Sequence, residues 1–168
     1  VCFDQVTMQF TIQDDLWFMG LALEEADKAY RHQEVPVGAV LVSATGEVLS
    51  SQFNLKESHF NPVAHAEILA LTEAARKEQN WRLTGCTLYV TLEPCPMCLT
   101  AMVQARVARC VFGAYDGKGG AISLGYHLHQ DKRLNHQFSM MGGIRHFECS
   151  RILSTFFKER RGVYKTKI

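Results

Sequence analysis

Two short runs, His65-Ala66-Glu67 and Pro94-Cys95-Pro96-Met97-Cys98, constrain this chain more than any other feature. Three of their side chains are zinc-binding types, so the fold must bring together residues that a strand-like stretch holds apart in sequence. A structural zinc site closes its tetrahedron with four protein ligands, whereas a catalytic site keeps one position for water. Only His65, Cys95 and Cys98 stand out as ligands, which leaves a fourth position free and Glu67 as a nearby carboxylate that is not a ligand. That is the pattern of a hydrolytic metal centre.

The spacing is physically sensible if each run opens a helix. Asn61-Pro62 breaks the preceding structure, and Ala64 to Lys77 places Ile68, Leu71 and Ala75 on one stripe. His65 and Glu67 then fall in a first turn. Two residues apart, they point to different sides of a helix and reach one pocket only if it lies off the helix end. Cys95 and Cys98, three apart, share a face. Pro96 suits the first helical position, where no backbone donor is lost, and the positive end of the helix favours thiolate. Such a metal centre brings the pKa of water to about 7, and Glu67 is placed to carry the proton.

Blander readings apply elsewhere. A His-x-Glu alone is common surface chemistry; its coupling to Pro-Cys-x-x-Cys is what makes a site. Cys2, Cys86, Cys110 and Cys149 have no pairing pattern and read as free thiols, Cys86 and Cys110 as small apolar residues beside strands. His127-x-His129 has no partner cysteine or carboxylate pattern near it. Asn54, taken alone, is a turn residue.

Period and punctuation outline one α/β unit. Thr11 or Asp14 caps a first helix with Leu16, Met19, Leu23, Ala26 and Tyr30 as its stripe. Strands are expected at Val37–Val42, Val48–Phe53, Cys86–Thr91, Ala108–Phe112 and, at an edge, Gln137–Met141. Pro96–Ala105 forms the second motif helix, Gly113–Gly125 a glycine-rich loop of the kind that covers a site, and the stretch after Gly143 a last helix through about Arg161. The expected architecture is a three-layer α/β/α sandwich with a five-stranded mixed central sheet. One domain spans residues 1–168, with 1–13 as an N-terminal arm and 158–168 as a basic tail.

With these residues in place the chain resembles the zinc nucleoside deaminases, whose signature pairs H-x-E with P-C-x-x-C. More narrowly, Val35-Pro36-Val37-Gly38-Ala39-Val40, Asn61 to Glu67, Thr87 to Cys95, Val111-Phe112-Gly113-Ala114, Leu134-Asn135-His136 and Phe156-Phe157 are similar to bacterial tRNA adenosine deaminases, over residues 14 to 161. The resemblance implies one zinc ion per chain and hydrolytic conversion of adenosine to inosine at the wobble position of a tRNA anticodon. A zinc-activated water attacks C6 of adenine, and Glu67 protonates N1 and then the departing ammonia. Asn54 matches a base-holding asparagine, and Val35 and the backbone of Ala66 match pocket positions. Asp116, Phe156 and Phe157 match positions near the flanking nucleotides. Related sequences often carry arginine where this chain has Tyr115. The same resemblance implies a homodimer, a tRNA anticodon arm as partner and no physiological role for DNA. Guanine, cytosine and cytidine deaminases share the zinc signature, so a free-base or nucleoside deaminase is the nearest alternative. A zinc module that only binds nucleic acid is more distant, because Glu67 would then be dispensable.

Length and charge fit this reading. The 168 residues, 47% hydrophobic, suffice for one buried core. No stretch approaches the roughly 20 apolar residues of a membrane span. Val1–Gln13 has neither a positive start nor a sustained apolar run, so no secretory leader is expected there, and thiolate ligands with unpaired cysteines fit a reducing cytoplasm. The net charge of +1 conceals an asymmetry: residues 1–34 hold seven acidic and two basic side chains, residues 145–168 seven basic and two acidic. Lys158, Arg160, Arg161, Lys165 and Lys167 beside Phe156, Phe157 and Tyr164 suit phosphate contact with aromatic stacking, although cations at a helix end also complement its dipole.

Overall fold

The computed structural model describes residues 10–165, with side chains described through Arg161. Residues 1–9, with Cys2, and the side chains of Tyr164, Lys165 and Lys167 lie outside the described residues. Helix α1 (Ile12–Arg31) starts at a reciprocal cap, in which the Thr11 hydroxyl accepts from the Asp14 N–H and the Asp14 carboxylate accepts from the Thr11 N–H. Thr11 and Asp14 thus divide the capping work that the sequence offered to either. The helix begins inside the segment read as an arm.

A hairpin follows, β1 (Gly38–Val42) and β2 (Val48–Phe53), then α2 (Ala66–Lys77), β3 (Thr87–Leu92), α3 (Pro96–Ala105) and β4 (Arg109–Ala114). A 3-10 turn at Leu128–Gln130, which the sequence reading did not include, precedes edge strand β5 (Ser139–Gly142) and α4 (His146–Lys165). The last helix runs on into the segment read as a basic tail. The sheet order is β2-β1-β3-β4-β5. β1 is antiparallel to both neighbours, whereas β3, β4 and β5 are parallel.

Alternation along the strands divides the interior into two layers. Ala39, Leu41, Leu88, Val90, Cys110 and Phe112 face α2 and α3, meeting Ala70, Leu71, Leu99 and Met102. Val40, Val42, Tyr89 and Val111 face the other way and meet Phe18, Met19 and Ala22 of α1 and Cys149 of α4. The result is the expected three-layer sandwich, with both motif helices on one face. Cys86, Cys110 and Cys149 are buried and free, as expected of small apolar packing. Close approach of α1 to the sheet explains Gly38: a Cβ there would lie 2.0 Å from the Ala22 carbonyl oxygen.

The α1 layer is also held by a buried charge. Asp15, 1% exposed, accepts from the Tyr89 hydroxyl at 2.8 Å and from both Arg109 Nη atoms at 2.7 Å. Removing the carboxylate leaves the fully buried Tyr89 phenol and the largely buried Arg109 guanidinium without their shared acceptor. Asp15→Ala is therefore expected to cost about 3 kcal/mol, a fall of roughly 10 °C in Tm, to be read by thermal unfolding.

Candidate active site

His65 and Cys95 are the N-caps of α2 and α3, one position earlier than a first-turn residue, and Pro96 holds the first helical position of α3. Both caps have extended backbones that free their side chains from helical geometry, while their carbonyls accept from Leu69 and Leu99. The two helix starts therefore aim His65 and Cys95 at one point, and Cys98, one turn into α3, completes the group. His65 Nδ1 stands 3.7 Å from Cys95 Sγ and 3.6 Å from Cys98 Sγ, and all three donor atoms lie within 4.8 Å of one another. Ligand atoms of a tetrahedral zinc site with Zn–S about 2.3 Å and Zn–N about 2.0–2.1 Å lie about 3.6 Å apart. The donors fit zinc in number, type and spacing.

Their protonation also favours a metal. The Cys98 thiol and His65, hydrogen-bonded to Cys95, outweigh its burial and bring the Cys95 pKa down to about 4, so it is a thiolate at neutral pH. Cys98 is pushed far up by that hydrogen bond to Cys95 and by burial. His65 is raised, chiefly by its bond to Cys95. Two sulfurs and an imidazole share protons that one cation would displace.

Glu67 lies beyond these ligands, 4% exposed, and burial pushes its carboxyl up to about 6 from an ordinary 4.5. A carboxyl near neutrality both accepts and donates a proton at low cost. Glu67 and His65 line a cavity of about 270 Å³ with Val35, Val37, Asn54, Ala66, Asp116 and Gly119. That volume, at the lower limit of small-ligand pockets of roughly 300–1,000 Å³, suits a single base. Of the residues expected near substrate, Val35, Asn54, Ala66 and Asp116 are in this wall.

The tandem phenylalanines separate. Phe156 is 3% exposed and packs edge-on against Tyr30 at 5.7 Å, under the Arg160 guanidinium. Phe157 is exposed and lines a groove that continues from the pocket past Val35, Leu92 and Asp116, with Tyr115, Lys118, Arg160 and Arg161. The structure thus sets Phe157 on the groove and packs Phe156 against Tyr30 of α1. Arg160 also donates to the Gln33 carbonyl at 2.5 Å, and Tyr30 hydrogen-bonds Glu159, so α4 is fastened to the end of α1.

Three supporting residues escaped the sequence reading, Lys56 and Glu93 on the pocket wall and Glu34 behind Asn54. Glu34 is fully buried; its carboxylate accepts from the Ser58 N–H and hydroxyl, both at 2.6 Å, from the Glu57 N–H at 3.1 Å and from Asn54 Nδ2 at 3.4 Å. Its only sequence signal is an acid immediately before Val35-Pro36. Burial opposes its ionisation, but the bonds from Ser58 and Glu57 outweigh burial and hold the carboxyl below 4.5. A depressed folded pKa gives stability that is complete above the unfolded value and lost as pH falls through the folded one. Glu34→Gln should cost about 2 kcal/mol at neutral pH and flatten the acid limb of stability against pH, as measured by denaturant unfolding from pH 7 to 3.

Comparisons with known proteins agree with this geometry. Residues 12–114 match the cytidine and deoxycytidylate deaminase zinc-binding region. A tRNA-specific adenosine deaminase of Bacillus subtilis is 48% identical over 149 residues, covering 89% of this chain and 91% of the relative. One from Haemophilus influenzae is 48% identical over 143 residues, covering 85% and 83%. Among solved structures, one from a study of A-to-I editing by tRNA:A34 deaminases at the wobble position superposes with a TM-score of 0.77 at 40% identity, covering 82% of this chain and 99% of that one. A guanine deaminase of Nitrosomonas europaea, 19% identical with a TM-score of 0.73 over 93% and 98%, shares the fold. The chain belongs to the zinc-binding cytidine and deoxycytidylate deaminase family, among its tRNA-specific adenosine deaminases.

Proposed function

We propose that this chain hydrolyses adenosine to inosine at the wobble position of a tRNA anticodon, releasing ammonia. The observation that carries the reading is an open His-Cys-Cys centre beside a buried non-ligand carboxylate, in a one-base pocket that continues into a basic, aromatic groove. Zinc held by His65, Cys95 and Cys98 supplies Lewis acidity toward a water molecule at neutral pH. Glu67 takes one proton from the water and passes it to N1 of the ring, then takes the second from the hydroxyl now on C6 and gives it to the amine, which leaves as ammonia. Asn54, Val35 and the Ala66 backbone hold the base, and the small cavity keeps bulk water from it. Asp116 and Phe157 meet the flanking nucleotides, while Phe156 packs against Tyr30 of α1. Lys118, Arg160 and Arg161 supply phosphate contacts and Phe157 a stacking surface, which supports RNA binding.

The activity resides in one domain. Family resemblance supports a homodimer and cytoplasmic action, and buried free cysteines suit a reducing compartment. No helix among the described residues is long and apolar enough to cross a membrane. The test is inosine formation in an anticodon stem-loop bearing a wobble adenosine. Product from the zinc-loaded protein is expected; its absence, with release of ammonia from guanine, cytosine or cytidine instead, would transfer the site to free bases or nucleosides.

A further inference from the structure

The loop from Tyr115 to Ser123 forms a wall of both the base pocket and the adjoining groove: Asp116 and Gly119 line the first, Tyr115, Asp116 and Lys118 the second. Such a loop, rich in glycine and exposed at Tyr115, Gly117, Lys118 and Ser123, buries apolar side chains only near its end, at Ala121 and Ile122, which leaves the Tyr115–Gly120 stretch with little apolar packing to define its shape. What it has is Glu93, at the end of β3 and 2% exposed. Glu93 Oε2 accepts from the Asp116 N–H at 2.9 Å and from the Ser123 hydroxyl at 2.6 Å, and Oε1 accepts from the Ser123 N–H at 2.7 Å. Both ends of the loop thus close on one carboxylate. Its middle closes there too, because a Cβ on Gly120 would lie 2.3 to 2.6 Å from the carboxylate atoms.

We propose that Glu93 is a positioning residue that moulds the Tyr115–Ser123 loop into the wall against which RNA on either side of the target adenosine is held. The proposal rests on the deaminase reading above. Glu93 is itself part of the pocket wall, but both its oxygens are taken up by Asp116 and Ser123, so it acts through the loop rather than on the reacting atoms. Charge and shape are both required: an ionised carboxylate only accepts, whereas an amide turns an NH₂ group toward one of the three donors. A bare glycine at position 120 is required for the same contact, because a side chain there would meet the carboxylate.

The experiment compares the intact protein with Glu93→Gln, Gly120→Ala and the double variant, reading stem-loop kinetics, zinc content and hydrogen exchange of the loop amides. Each single variant should raise KM by about tenfold, the equivalent of one charge-assisted contact, with the larger part of the effect in KM rather than kcat and zinc still at one per chain. The Asp116 and Ser123 amides should lose protection. Because both substitutions remove the same contact, the double variant should be no worse than the worse single one. Unchanged KM and loop protection in Glu93→Gln, or additive effects in the double variant, would overturn the proposal. Should Glu93→Gln not fold, Ser123→Ala decides, since it removes only the hydroxyl bond: a smaller rise in KM with partial loss of protection supports the role, and no change refutes it. If the intact protein makes no inosine, the deaminase reading fails, while exchange in the same variants still judges whether Glu93 shapes the loop.

Discussion

Glu67→Ala is expected to lower kcat for inosine formation by about 10³- to 10⁴-fold, at the upper end of what one acid-base group contributes, because one carboxylate serves several proton transfers in the proposed reaction. The surroundings argue against compensation: Glu67 is 4% exposed, and the other buried carboxylate on the cavity wall, Glu93, already has both oxygens engaged by Asp116 and Ser123. Glu67→Gln keeps the shape, loses the proton traffic and should fall by a similar factor. The check is single-turnover kinetics on the stem-loop at equal zinc content. Retention of even a tenth of the rate would mean that the proton leaves by another route.

Stripping the metal is the second large effect. Chelation followed by dialysis is expected to abolish inosine formation, and stoichiometric zinc to restore it, because His65, Cys95 and Cys98 are spaced as a tetrahedral site requires. The same treatment should lower Tm, since the metal would tie the starts of two helices together. A ligand that binds the folded chain alone stabilises it by about 4 kcal/mol at a thousand times its Kd. The paired measurement is activity and thermal unfolding across a zinc titration. Cys98→Ala should reproduce the stripped state and fail to respond to added zinc.

Much of this site was legible in the sequence because its chemistry is local. His65 with Glu67, and Cys95 with Cys98, declare themselves by residue type and by the helix starts that Pro62 and Pro96 punctuate. The strands were legible for a similar reason: apolar runs between turn residues placed β1 to β4 to within two residues of each boundary, inside the scatter that helix and strand ends always carry. Glu34 and Glu93 were not legible, since the donors that justify burying each acid lie 20 to 30 residues away in loops without periodicity. The tandem Phe156-Phe157 shows the converse limit. Adjacent positions on a helix point about 100° apart, so a dipeptide that matches a binding pattern places only one ring, Phe157, on the groove.

The β1–β3 ladder pairs Ala39 with Val90 and Leu41 with Leu88, and it is the seam between two locally connected pieces of chain. On one side, a hairpin runs on into α2 and carries His65; on the other, β3, α3 and β4 form a parallel crossover that carries both cysteines. Each piece closes short loops early, whereas the seam must pay the larger closure entropy of distant segments. A chain with the seam unzipped has its sulfurs in one place and its imidazole in another. A metal held by all three ligands at once therefore requires the two halves to be docked.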